Sequence, residues 1–62
     1  GILALRFPTA RLDARLAAAR AGGYETSSVS EVAIDGWGRV RVADVRSPDG
    51  AIVQLVEAVA RR

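Results

Sequence analysis

Four breaks, Pro8, Gly22-Gly23, Asp35-Gly36 and Pro48-Asp49-Gly50, cut this 62-residue chain into five short segments. Each break has a physical cause. Proline fixes φ and removes a sheet donor, while glycine supplies the left-handed backbone that helix ends and tight turns need. The longest uninterrupted apolar run is four residues, against about 20 for a bilayer-spanning helix. The chain therefore reads as one small module of short elements joined by tight turns, with no membrane span, signal peptide, repeat or linker.

Its apolar supply is thin. Of 31 hydrophobic residues 12 are Ala, which leaves 19 side chains of sizeable apolar volume. A chain this short buries about 60% of its unfolded surface, and burial against chain entropy comes out near zero. A partner is expected on that ground alone.

Within the segments the periodicity changes. Gly1 to Phe7 is dense in apolar residues and predicts a buried strand over 1–7, ended by Pro8. Thr9 is placed to cap a helix over 10–21, made almost wholly of Ala, Leu and Arg and closed by Gly22-Gly23. Leu12, Leu16 and Ala19 form its apolar stripe, with Asp13 near the positive end of the dipole and Arg11, Arg15 and Arg20 on the wet side. Thr26-Ser27-Ser28 reads as loop or frayed edge. Period-two patterns then predict strands at about 29–35, 39–46 and 51–58, joined by turns at Asp35-Gly36 and Pro48-Asp49-Gly50. The expected fold is α+β: a single βαβββ module, a four-stranded curved sheet with one helix on its convex face.

Missing residue types exclude several kinds of chemistry. There is no Cys and no His, so disulfide frameworks, a self-contained zinc site and histidine-based general catalysis all fall away. Nine Arg against seven acidic residues give a net charge of +2, and the basic residues are dispersed, with only Arg61 and Arg62 adjacent. No nucleic-acid-binding stripe can be drawn. A cytoplasmic setting is the default. The absence of Met, with Gly1 opening directly on an apolar run, points to a processed chain or an excised segment.

The stretch Arg39 to Glu57, R-V-R-V-A-D-V-R-S-P-D-G-A-I-V-Q-L-V-E, resembles the closing hairpin of the vicinal oxygen chelate superfamily, which includes glyoxalases, bleomycin-resistance proteins and extradiol dioxygenases. The family's run there is of the type R-x-A-x-V-x-D-P-D-G-N-x-x-E-L-x-E. Ala21-Gly22-Gly23 stands where the family's helix ends, and Trp37-Gly38 is similar to the approach to the hairpin in resistance-type members. The resemblance implies that two βαβββ units pair edge to edge around a cleft. It also implies a metal ligand four residues after the turn glycine, where this chain carries Gln54, and another at the start of the first strand, where it carries Gly1, Ile2 and Leu3. An amide brings no charge to offset ion desolvation. No metal site of its own, no cofactor and no catalytic residue are expected; a divalent ion would need ligands from another chain or a missing half.

Three residues are candidates for lining a ligand cleft: Gln54, Trp37 and Arg41. Strand parity puts Ile52, Gln54 and Val56 on one face and Val53, Leu55 and Glu57 on the other. If the latter cover the helix, Gln54 faces the concave side. Trp37 either stacks on a flat ligand or anchors a subunit contact, and Arg39 and Arg41 either hold an anion or form a solvated face. The first functional expectation is a small-molecule binding module whose cleft is completed by a second copy in a homodimer, or by a missing N-terminal half. The alternatives are the C-terminal half of a metal-dependent lyase, isomerase or dioxygenase with Gln54 as a weak ligand, and a structural remnant serving association only.

Overall fold

The segment rich in Ala, Leu and Arg forms helix α1, Leu12–Ala21, in the computed structural model, which describes residues 5–59. It begins two residues later than the helix expected over 10–21. Thr9 is not its cap: Arg11 holds that position, and Thr9 Oγ1 accepts from the Arg11 N–H at 3.1 Å. That local bond competes with helix at its own residue. The Leu12 N–H is satisfied from afar, by Glu57 Oε2 at 3.2 Å. The other end follows the sequence. Gly23 takes φ 91°, its N–H donates to the Arg20 carbonyl at 3.0 Å, and the Tyr24 N–H donates to the Ala19 carbonyl at 3.0 Å. These are the two bonds of a Schellman ending, which a left-handed glycine permits.

Among the described residues five strands accompany the helix: β1 Leu5–Pro8, β2 Glu25–Thr26, β3 Ser30–Ile34, β4 Gly38–Arg46 and β5 Ile52–Ala58. They make one mixed sheet in the order β1-β5-β4-β2, with β3 also on β4. Four sheet strands were expected; the fifth arises because the segment after the helix pairs with β4 in two pieces. Glu25 and Thr26 oppose Arg46 and Val45, and Ser30 to Ile34 oppose Val42 to Gly38. Ser27 interrupts them by accepting the Asp44 N–H on its Oγ at 2.8 Å while its own N–H donates to the Asp44 carbonyl at 2.9 Å. The other strands lie within a residue of their expected bounds.

The first strand departs furthest from expectation. Positions 1–4 lie outside the described residues, and Leu5–Pro8 is exposed throughout, with Leu5 at 62% and Phe7 at 49%. The expected buried strand is an edge. Among the described residues it pairs in parallel with β5 alone, Leu5 with Val53 through Pro8 with Val56, and α1 packs on β2, β4 and β5 without reaching it. Pro8 stays inside the strand because an edge tolerates a missing donor.

The pleat divides the core in two. Leu12, Leu16 and Ala43 form the helix-side cluster with Val45 and Leu55, while Val40, Val42 and Val56 form the opposite cluster with Ile34. Alternation along β5 therefore puts Leu55 and Glu57 under the helix and Gln54 with Val56 on the other face. No described helix covers that second face. Among the described residues no helix is long and apolar enough to cross a membrane.

Candidate functional site

Trp37 sits where the β3–β4 hairpin turns. Asp35, Gly36 and Trp37 form a three-residue loop between the paired Ile34 and Gly38. The Trp37 N–H donates to the Ile34 carbonyl at 2.9 Å, and Gly36 takes φ 83°, the left-handed value needed at the third turn position. The loop is one residue longer than the Asp35-Gly36 turn read from sequence, and it swings the indole out of the strand. Trp37 stays 41% exposed.

Beside it lies an open groove of about 770 Å³. Val40 and Val56 line it together with Trp37, Pro8 to Ala10 border it, and Arg41, Glu57, Ala58 and Val59 complete the lining. β1 ends at Pro8 opposite Val56, and the chain then leaves toward α1 after a last bond from the Thr9 N–H to the Val56 carbonyl at 2.8 Å. β5 continues to Ala58. The groove thus occupies the space left where the edge strand stops short of its neighbour.

Arg41 binds the two layers together. Its Nη1 donates to Glu57 Oε1 at 2.7 Å and its Nη2 to Asp13 Oδ1 at 3.1 Å. The second oxygen of Glu57 accepts the Leu12 N–H, so one carboxylate ties the central sheet to the start of α1. The hydrogen bond it donates to Asp13 foremost, then that to Glu57, holds the Arg41 guanidinium above its ordinary pKa. Charge-assisted bonds of this kind are shorter and stronger than neutral ones.

Gln54 belongs elsewhere. Arg41 and Glu57 oppose each other on the helix side, whereas Gln54 pairs with Asp44 on β4 and Arg6 on β1 across the uncovered face. The three residues expected to share a cleft are not brought together: Trp37 and Arg41 border one groove, and Gln54 lies on the opposite side of the sheet from Arg41. Strand parity separates Gln54 from Arg41, since Arg41 and Ala43 share one face of β4 and Gln54 and Val56 the other face of β5; Val56 on that same face lines the groove, so Gln54 is kept from it by its place along β5, beside Arg6. The Gln54 Oε1 atom accepts from Arg6 Nε at 3.0 Å. The amide oxygen a divalent ion would need is thus directed at a cation, and the described residues hold no group of three or more carboxylates suited to a metal.

Two contacts of this arrangement escape a local reading. Arg6 and Gln54 are 48 positions apart, and Glu57 and Leu12 are 45 apart. Only the parity of β5, which places Glu57 under the helix, hinted at either. Comparisons with known protein families, with curated proteins and with solved structures return no match to this chain.

Proposed function

We propose that this chain is a small-molecule binding module, similar in plan to the bleomycin-resistance branch of the vicinal oxygen chelate superfamily, whose ligand is held in a cleft completed by a second module. The observation that carries the reading is the groove beside Trp37. Its volume falls within the roughly 300–1,000 Å³ of ligand pockets, and its lining combines a half-exposed indole with aliphatic side chains and a few polar groups. A groove this open leaves a ligand in contact with water, while tight small-molecule sites enclose about 70–90% of the ligand surface. A second body would supply that enclosure.

The edge formed by β1 supports the same plan. Leu5 and Phe7 project from a four-residue strand that α1 leaves uncovered, whereas the far edge carries Glu31, paired with Arg39 at 2.8 Å. Charged side chains guard an edge against pairing and apolar ones invite it. In this reading Trp37 stacks on a flat ligand, the Arg41–Glu57 pair forms the polar rim, and Gln54 with Arg6 faces the second module.

The test combines calorimetry with sedimentation. Bleomycin or a planar cationic dye should give saturable heat with the natural chain and none with Trp37→Ala, and the chain should sediment as a dimer at micromolar concentration. A well-folded monomer that returns no heat with either compound overturns the reading.

A further inference from the structure

We propose that the groove beside Trp37 takes an extended, peptide-like main chain, which adds to β5 at Ala58 where β1 stops. The inference rests on the groove being a ligand site and names the class of ligand.

Alternation along β5 carries the argument. The Val56 carbonyl accepts from Thr9 and therefore points outward, toward β1. The Val59 N–H donates to the Arg39 carbonyl at 3.2 Å and so points inward, toward β4, as does Glu57 opposite Arg41. Ala58, between them, must direct both its N–H and its carbonyl outward. Among the described residues neither group has a backbone partner, because after Thr9 the chain turns away into α1. Ala58 is exposed and lines the groove.

One outward donor and one outward acceptor on the same residue are what a single residue of an added antiparallel strand engages, and the slot opens at the point on β5 where its pairing with β1 ends. Strand addition of this kind takes its affinity from main-chain bonds and its specificity from pockets for alternate side chains. The adjoining pocket is apolar: Val40 and Val56 are each 1% exposed, and Trp37 stands beside them. The occupant residue paired with Ala58 shares the face of Val40 and Val56 and would place an aliphatic or aromatic side chain there. An amide backbone with an apolar side chain satisfies all these groups, whereas a planar cation leaves the Ala58 pair to water.

Trp37 is the sole tryptophan, so its emission reports on this groove alone. Capped pentapeptides alternating Thr with Val or Phe should shift that emission and slow exchange of the Ala58 amide proton. Ala58→Pro deletes the outward N–H without touching the bonds to β4, at an edge position where proline is tolerated. It should weaken peptide binding by about tenfold, the effect of one lost hydrogen bond with its partner left unpaired, while the planar dye still binds. Equal peptide binding by the natural chain and Ala58→Pro, or unaltered Ala58 exchange in the natural chain with peptide present, overturns the inference. Dye binding without peptide binding overturns it and leaves the small-molecule reading standing; binding of neither overturns both.

Discussion

The two faces of the central sheet are built from the same kind of residue and end in different conditions. On one, Leu12 and Leu16 of α1 close over Ala43, Val45 and Leu55, and the Asp13–Arg41–Glu57 network seals the rim. On the other, Val40, Val42 and Val56 gather with Ile34, yet no described helix lies over them, and Val32 remains 37% exposed. Both clusters are buried, and the difference lies in what closes them: a described helix on one side, none on the other.

That contrast breaks most visibly at the helix. Leu12 is fully buried and Leu16 is 3% exposed, and Leu→Ala in a core costs about 2–5 kcal/mol. Against the few kcal/mol available to a domain of this size, Leu16→Ala should leave the chain largely unfolded at room temperature, as read by chemical denaturation with far-UV circular dichroism. Val32→Thr on the opposite sheet face should shift the unfolding midpoint by less than about 0.5 kcal/mol, the usual range for surface changes. Equal losses from the two substitutions would erase the distinction between the faces.

A smaller effect sharpens it. Glu57→Ala removes the acceptor for the Leu12 N–H and one partner of Arg41. Loss of a helix cap costs about 1 kcal/mol, so the variant should remain folded with a lowered midpoint, and amide exchange should accelerate first at the start of α1. Exchange that rises instead at the C-terminal Schellman turn would show that Glu57 does not hold the helix.

What sequence reading reached, and where it stopped, follows the range of the interactions. The helix end at Gly22-Gly23 and the hairpin turns were legible because single residues set their backbone angles. The strands from 29 onward were legible through period two, and so was the side of β5 that Gln54 occupies. The start of α1 was not, since its cap comes from Glu57 on the last strand. Nor was the exposure of β1: an apolar run followed by proline looks the same whether it is central or at an edge, and only the reach of α1 decides. The placement of Arg41 relative to Gln54 was hidden for a related reason. Residue type suggested a shared cleft, but parity on two neighbouring strands sends them to opposite faces.

The smallest expected effect lies in the β4–β5 turn. Asp49 accepts from the Ser47 hydroxyl and, more weakly, from the Ala51 N–H at 3.5 Å. The Ser47 bond foremost, then that of Ala51, holds the Asp49 carboxyl below its ordinary pKa. A carboxylate with a depressed folded pKa adds stability above its unfolded value and loses that contribution as pH falls through the folded one. Acidification below the usual carboxylate range should therefore loosen this turn, seen as faster exchange of the Ala51 amide. Asp49→Asn should remove the pH dependence, because its amide oxygen accepts the same bonds without titrating. The α1 core has no part in that equilibrium, so the acid effect in the natural chain should stay local while the Leu12 and Leu16 region keeps its protection. A turn that loosens in step with the helix would join the two regions into one cooperative unit and dissolve the division between faces on which the binding proposals rest.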